Sequence, residues 1–462
     1  MRESEDRILS NLDWGLMLIY FILVIAGVSN IYSSVYDAEK PGLFNLDTEH
    51  GKQIMWFGVS MFLGVIILFL ESSFIRKYAY GFYGFTMLLL LVVLFMPAIN
   101  GAHSWFAIGG FGIQPSEFAK VGVALALARF LGQSKTHLQA NRNRAANMGV
   151  AELWGVIPFI MKNFETVTIL AIPSILVLLQ PDAGTFIVFT SFILVLYREG
   201  YAGNILLFIL IAVFMAIITL LVADDSFMFP FLKIKLSGKT GIVMSLLTLG
   251  LIFFLLIKYF VLKRNRRSLY RALFGSLIVA IIFVNFIEVG YSKILQPHQK
   301  ERIDLFLGKI DDPNGKGYNI NRAKAAIGSG GFLGKGYQEA TLANASQKHV
   351  PMQSTDFIFC TWSEERGFLG SFLLIVIYTT LLIKLVIIAE RQRSRFTRIY
   401  AYSVAGIIFF HFMINVGMAI GLAPVIGIPL PFFSYGGSSM MAFSILIFIL
   451  LKLDSERKIV LQ

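Results

Sequence analysis

The sequence predicts an all-α integral membrane protein, a polytopic helical bundle of about 10–12 transmembrane helices with a large extracytoplasmic loop. Three observations predict it. Of 462 residues, 56% are hydrophobic and only 15% charged, where a soluble domain carries about 25% charged residues. The mean hydropathy is +0.71. The apolar runs are continuous rather than alternating and reach the roughly 20 residues of a spanning helix, which excludes barrel strands.

Helices are expected over 14–32, 54–70, 78–96, 115–131, 167–179, 185–197, 205–222, 242–262, 273–289, 369–389, 399–420 and 440–452. The pair 167–179 and 185–197 is short and hinged at Gln180-Pro181-Asp182. The first run is of full spanning length and lacks a small-residue cleavage site, so no cleavable signal peptide is expected. One cysteine, Cys360, excludes an internal disulfide framework and a CxxC metal site, and reads as a packed thiol. No internal repeat or low-complexity tract interrupts the chain, so 1–462 reads as one membrane domain.

The net charge of +12 gathers in a few loops: Lys135, Arg142, Arg144 and Lys162; Lys263, Arg264, Arg266, Arg267 and Arg271; Arg391, Arg393, Arg395 and Arg398. Loop charge of this kind marks the cytoplasmic side, so no nucleic-acid partner is expected. Counting crossings from these loops puts both termini inside. The loop around Trp105, the 180–184 hinge and the loop at 290–356 then lie outside.

The stretch 296–356 is the longest without a membrane-length apolar run. A loop this long is usually functional or disordered. Apolar anchors at Phe306, Tyr318, Ile320, Ile327, Phe332, Tyr337 and Phe357 argue against disorder. Asp312-Pro313-Asn314-Gly315 is a strong turn signal and sets Asp311 and Asp312 at a bend among basic residues, the first place to look for chemistry. Arg322, Lys324 and Lys335 flank Ile327-Gly328-Ser329-Gly330-Gly331, where cations and Gly-rich backbone can bind an anionic phosphate. Neither a Walker A nor a dinucleotide motif is present.

Three further motifs lie at helix ends. After Ser104-Trp105 comes QPSEFAK at 114–120, where Pro115 and Ser116 suit a first helical turn and Glu117 its positive end. Glu117 and Lys120 share a face at i, i+3. A capping carboxylate is the plainer reading, but Lys120 falls inside the apolar zone, where an ionisable group is a functional candidate. In QPDAGT at 180–185, Asp182 needs no role beyond an N-cap. The stretch GLAPVIGIPLPFFSYGGSS at 421–439 is irregular, with three prolines and four glycines, and survives near a membrane only in protein or against a cavity. Its hydroxyls, Ser434 among them, and free amides can hold a sugar or a phosphate. His411 and Asn415 lie one turn apart, a spacing that favours interhelical hydrogen bonds over a metal site.

In order along the chain, QPSEFAK (114–120), QPDAGT (180–185), QPHQKERI (296–303), DPNGKGYNINRAKAAIGSGGFLGKG (312–336), HVPMQSTDFIFCTWSEERGFLG (349–370) and GLAPVIGIPLPFFSYGGSS (421–439) resemble the SEDS family, the polytopic peptidoglycan polymerases. The Asp13-Trp14 opening and the wording AAIGSGG and STDFIF resemble its rod-shape branch (RodA) more than its division branch (FtsW). Two departures stand out. Ser104 occupies the place of a family arginine, which leaves His103 as a substitute, and the count exceeds the family's ten or so helices by a pair inserted within 201–271.

The resemblance implies polymerisation of lipid II at the outer face, during elongation and shape maintenance. The lipid-linked glycan is the donor, undecaprenyl pyrophosphate leaves, and the acceptor's 4-hydroxyl attacks with inversion. Such a transfer needs a carboxylate base at the hydroxyl and positive charge at the leaving group. Asp312 matches the family's catalytic aspartate, with Asp311 its neighbour. Lys120, Arg322 and Lys324 are candidates for the pyrophosphate, oriented by Glu117 and Asp182, and Trp105 and Ser434 complete the implied substrate-binding set. No metal ligand is assigned, although carboxylates near a pyrophosphate suit Mg²⁺ or another divalent cation. Implied partners are a class B penicillin-binding protein, the elongation machinery and membrane lipids. The rival readings are a lipid-precursor flippase or transporter, a division-type polymerase, and a scaffold for the transpeptidase.

Overall fold

In the computed structural model, which describes residues 11–35, 42, 44–97, 103–108, 111–133, 164–200, 204–222, 226–228, 235–294, 300, 304, 318–342 and 353–457, each expected stretch is helical. The order is α1 (Trp14–Ser34), α2 (Glu49–Phe69), α3 (Ser72–Val93), α4 (Pro115–Gln133), α5 (Phe164–Leu179), α6 (Ala183–Thr190) and α7 (Phe192–Arg198). Then come α8 (Asn204–Val222), α9 (Gly238–Phe260), α10 (Lys263–Val289), α11 (Tyr318–Ser329), α12 (Ile358–Glu390), α13 (Arg395–Ile420) and α14 (Gly437–Ser455). Two antiparallel hairpins pair β1 (Phe106–Ile108) with β2 (Phe111–Ile113) and β3 (Ser226–Met228) with β4 (Lys235–Ser237).

Seven described helices are long and apolar enough to cross a membrane: α1, α2, α9, α10 with its extension to Lys293, α12, α13 and α14. Helix α4 carries Glu117, Lys120 and Arg129, yet Ala119 through Ala128 are all buried. A helix apolar all round belongs in the middle of a protein, and α4 packs against α3, α13, α14 and α6.

The chain forms two compact units. One comprises Met1–Lys135, Thr168–Val195 and Asp312–Gln462. Its core is the contact of α4, α13 and α14, flanked by α2, α3 and α12. Gly64 of α2 lets the Phe448 ring of α14 approach, since a Cβ there would lie 2.5 Å from ring atoms. Away from that core, Arg391 joins Asp13 (2.8 Å) to the buried Asp454, which also accepts from Gln392 (2.6 Å) and Arg457 (2.8 Å). In the second unit, Thr136–Val167 with Leu196–Asp311, α9 packs on α10 through Gly250 under Leu277 and Phe254 against Tyr270. Much of the apolar surface of both helices stays exposed (Phe260 84%, Phe286 61%), as lipid-facing helices require.

The elements differ from expectation in three places. The stretch 185–197 is two helices, broken at Ser191. The helix expected at 369 begins at Ile358, because Gly367 (φ 63°, ψ −161°) breaks it and lets a buried first segment precede the membrane-length one. The 290–356 stretch contains α11, whose Ala323 and Ala326 are fully buried; it packs against α12 and α13. Its 12 residues are too few to stand out in hydropathy.

Candidate active site

The QPSEFAK and QPDAGT motifs meet at the starts of α4 and α6. Asp182 caps α6, its Oδ1 accepting from Thr185 N at 2.9 Å. Its Oδ2 accepts from Thr185 Oγ1 (2.8 Å), Gln114 Nε2 (3.0 Å) and Ser116 Oγ (3.2 Å). The cap reading is therefore right locally, and the same carboxylate ties the two motifs together. One turn into α4, Lys120 is fully buried, with its Nζ 2.8 Å from Glu117 Oε2 and 2.8 Å from His411 Nε2 of α13. The ammonium also lies over the Phe443 ring of α14, 4.9 Å from its centroid. Glu117 and Lys120 thus form a buried ion pair held by α4, α13 and α14, while the half-buried Asp182 is tied to the start of the same helix through Gln114 and Ser116.

Trp105, half-buried, lies across the hairpin: a Cβ on Gly112 would come 2.9 Å from its Cε3. Ser438 accepts from Gln114 N at 2.9 Å and donates to Gly112 O at 3.3 Å, joining that hairpin to α14. His103 Nδ1 donates to Met96 O (2.6 Å), and Ser104 is buried. Ser434 lies in the irregular stretch, where it donates to Thr355 O (2.6 Å) and accepts from Leu430 N (2.8 Å), so its hydroxyl is engaged within the chain. Asn415 donates to Asp356 O (2.9 Å) and Ile428 O (2.7 Å). The irregular stretch, expected to lie in protein or against a cavity, therefore anchors the segment that leads into α12.

Asp311 and Asp312 lie outside the described residues. Arg322 and Lys324 stand on α11, the first half-buried and the second exposed. The Lys324 stem crosses Gly421, the left-handed residue (φ 81°) that ends α13, where helix carbonyls favour a cation.

The described groups of the Gly-rich segment bond within the protein. Its backbone is laid on the broken start of α12: Lys335 N donates to Glu364 O and Gly336 N to Glu365 O, both at 3.0 Å, and Phe368 N donates back to Gly331 O at 2.9 Å. Lys335 pairs with Glu364 at 2.6 Å, which neutralises it. Sequence reasoning missed Glu364 and Glu365. Glu364 is wholly buried and accepts from Thr341 N (2.9 Å), Leu342 N (3.0 Å) and Ser329 Oγ (3.3 Å). Glu365 accepts from Ser33 Oγ and from Gln338 N at 3.1 Å, and Arg366 beside it stacks 3.9 Å from the Trp362 ring. Two adjacent carboxylates before an apolar run were the available signal. Among the described residues no group of three or more His, Cys, Asp or Glu side chains is placed to hold a metal, and the carboxylates of Glu117 and Asp182 already face protein donors.

A family model described as "Cell cycle protein", FTSW_RODA_SPOVE, matches residues 13–235 and 275–459. The chain belongs to this family. Among FtsW/RodA/SpoVE relatives, "Peptidoglycan glycosyltransferase RodA" of Treponema pallidum is 30% identical, with 98% of this chain and 99% of that protein covered. "Peptidoglycan glycosyltransferase MrdB" of Escherichia coli is 28% identical over 80% of this chain and 76% of its own. The fold is that of a solved structure described as "Structural coordination of polymerization and crosslinking by a peptidoglycan synthase complex", with a TM-score of 0.64 at 24% identity, covering 96% of this chain and 98% of the other. The family match omits 236–274, a stretch that includes α9 and the start of α10. The QPSEFAK and QPDAGT cluster falls inside it.

Proposed function

We propose that this chain is an inverting peptidoglycan glycosyltransferase that polymerises lipid II at the outer face of the cytoplasmic membrane during elongation. One observation carries the reading: in a chain of this family, Glu117 and Lys120 form a buried ion pair in the first turns of α4, and Asp182 at the start of α6 is hydrogen-bonded to Gln114 and Ser116 at the start of that same helix. Asp312 is the base that takes the proton of the attacking 4-hydroxyl. Arg322 and Lys324 meet the departing undecaprenyl pyrophosphate. Lys120, enclosed on all sides, adds positive charge from within the protein, where low dielectric lengthens its reach. Asp182 and Glu117 fix that charge, and Trp105 and Ser434 shape the substrate side.

In this reading both termini are cytoplasmic, 290–356 faces outward, α9 belongs to an inserted helix pair, and the whole chain acts as one membrane domain. A class B penicillin-binding protein supplies the cross-linking. The test is purified protein with lipid II, alone and with that transpeptidase. Wild-type chain makes glycan strands, and Asp312→Asn inserts normally but makes none. Polymerisation by that variant removes the base assignment.

A lipid-precursor flippase is the second reading, favoured by ionisable groups buried on α4 and α13 and by helices broken at Ser191 and Gly367. Transbilayer movement of labelled lipid II in vesicles, without polymerisation, would select it.

A further inference from the structure

His411 is absent from the site assignment above, yet its ring is the second partner of the Lys120 ammonium. Both ring nitrogens are engaged: Nε2 lies 2.8 Å from Lys120 Nζ and Nδ1 lies 3.0 Å from Pro429 O. A carbonyl oxygen can only accept, so Nδ1 carries a proton. Lys120 Nζ already donates to Glu117 Oε2 at 2.8 Å. A proton on Nε2 as well would set two donors against each other at 2.8 Å, so Nε2 offers its lone pair. The Phe443 ring closes the remaining side, lying under Nζ at 4.9 Å and edge-on to the imidazole at 4.8 Å.

We propose that His411 is a positioning residue for Lys120, a neutral imidazole protonated at Nδ1 whose Nε2 holds the lysine as an ammonium between α4 and α13. A buried Lys–Glu pair with no other acceptor can lose its charges by handing the proton to the carboxylate. A second, uncharged acceptor stabilises the ammonium without adding a competing negative charge, and Pro429 keeps the ring from turning. The irregular 421–439 stretch thereby fixes a charge on a helix far from it in sequence. This rests on the reading that Lys120 contributes to glycosyl transfer.

The test uses full-length protein in lipid nanodiscs, with nitrogen-15 histidine and the His411 signals assigned by their loss in His411→Gln. The expected spectrum shows a neutral ring with the proton on Nδ1, and Nε2 shifts in Lys120→Met. An imidazolium, or a proton on Nε2, overturns the proposal. With lipid II, His411→Leu lowers kcat about tenfold while KM stays within about threefold, and His411→Gln, whose amide oxygen keeps an acceptor for Lys120, recovers most of the rate. His411→Leu at wild-type rate beside an inactive Lys120→Met also overturns it. Should His411→Leu not fold, the wild-type spectrum and His411→Gln still decide. Lys120→Met at wild-type rate defeats the reading of Lys120 on which this rests, and the nitrogen spectrum, which needs no catalysis, tells that failure from a wrong tautomer.

Discussion

The side-chain amide of Gln114 donates to Asp182 Oδ2 at 3.0 Å across 68 positions of sequence. The starts of α4 and α6 are therefore one hydrogen-bonded unit. Asp182→Ala removes the cap on Thr185 N and the acceptor for Gln114, Ser116 and Thr185. Adding a lost cap to unsatisfied buried donors gives a cost of about 2–4 kcal/mol. Asp182→Asn keeps the cap and should lose less. Thermal unfolding in detergent checks the order, with alanine below asparagine below wild type.

Glu364 and Lys335 form an ion pair of unequal burial, with the carboxylate enclosed and the amine 28% exposed. Screening makes the lysine's share small, so Lys335→Ala should cost under about 1 kcal/mol. Glu364→Ala leaves the N–H groups of Thr341 and Leu342 without their acceptor and should cost about 2–4 kcal/mol. Hydrogen exchange of residues 330–342 distinguishes the two: protection drops sharply in the glutamate variant and little in the lysine one.

Gly367 has φ 63° and ψ −161°, and a Cβ there would lie 2.7 Å from Phe332 O and 2.8 Å from Leu333 C. Backbone strain alone costs roughly 1–3 kcal/mol for a residue with a Cβ, and the steric overlap adds to it. Gly367→Ala should therefore release the Gly-rich segment from α12 while leaving the membrane-length part of the helix intact. Limited proteolysis reads this as new cleavage near 330–336 with unchanged helical circular dichroism.

What the sequence disclosed is what short range determines. The Glu117–Lys120 pair at i, i+3 and the Asp182 cap are both formed as local pattern requires, at 2.8 and 2.9 Å. The spacing of His411 and Asn415 pointed to an interhelical hydrogen bond, and His411 makes one, but its partner Lys120 lies 291 positions away and was not legible. Glycines such as Gly330 and Gly334 carry the same signal whether a ligand or another strand of backbone comes close; here it is Ser363–Arg366 of α12 that comes close to these two. Helix α11 escaped notice because its apolar face is two alanines rather than a long hydrophobic run.

Asp13 makes a final prediction about pH. Burial alone would push its carboxyl up, but the Leu16 N–H, Lys384 and Arg391 outweigh burial and hold it below the usual carboxylate range. The geometry agrees: Leu16 N at 3.0 Å, Lys384 Nζ at 3.1 Å and Arg391 Nη2 at 2.8 Å. A carboxyl depressed by folding contributes stability that is full above its unfolded pKa, about 3.9, and is lost as pH falls through the folded value. The melting temperature of wild type should therefore exceed that of Asp13→Asn by a constant margin from neutral pH down to about 5, and the margin should shrink only below about 4. A margin that instead narrows between pH 8 and 6 would mean that the contact depends on some group other than this carboxylate.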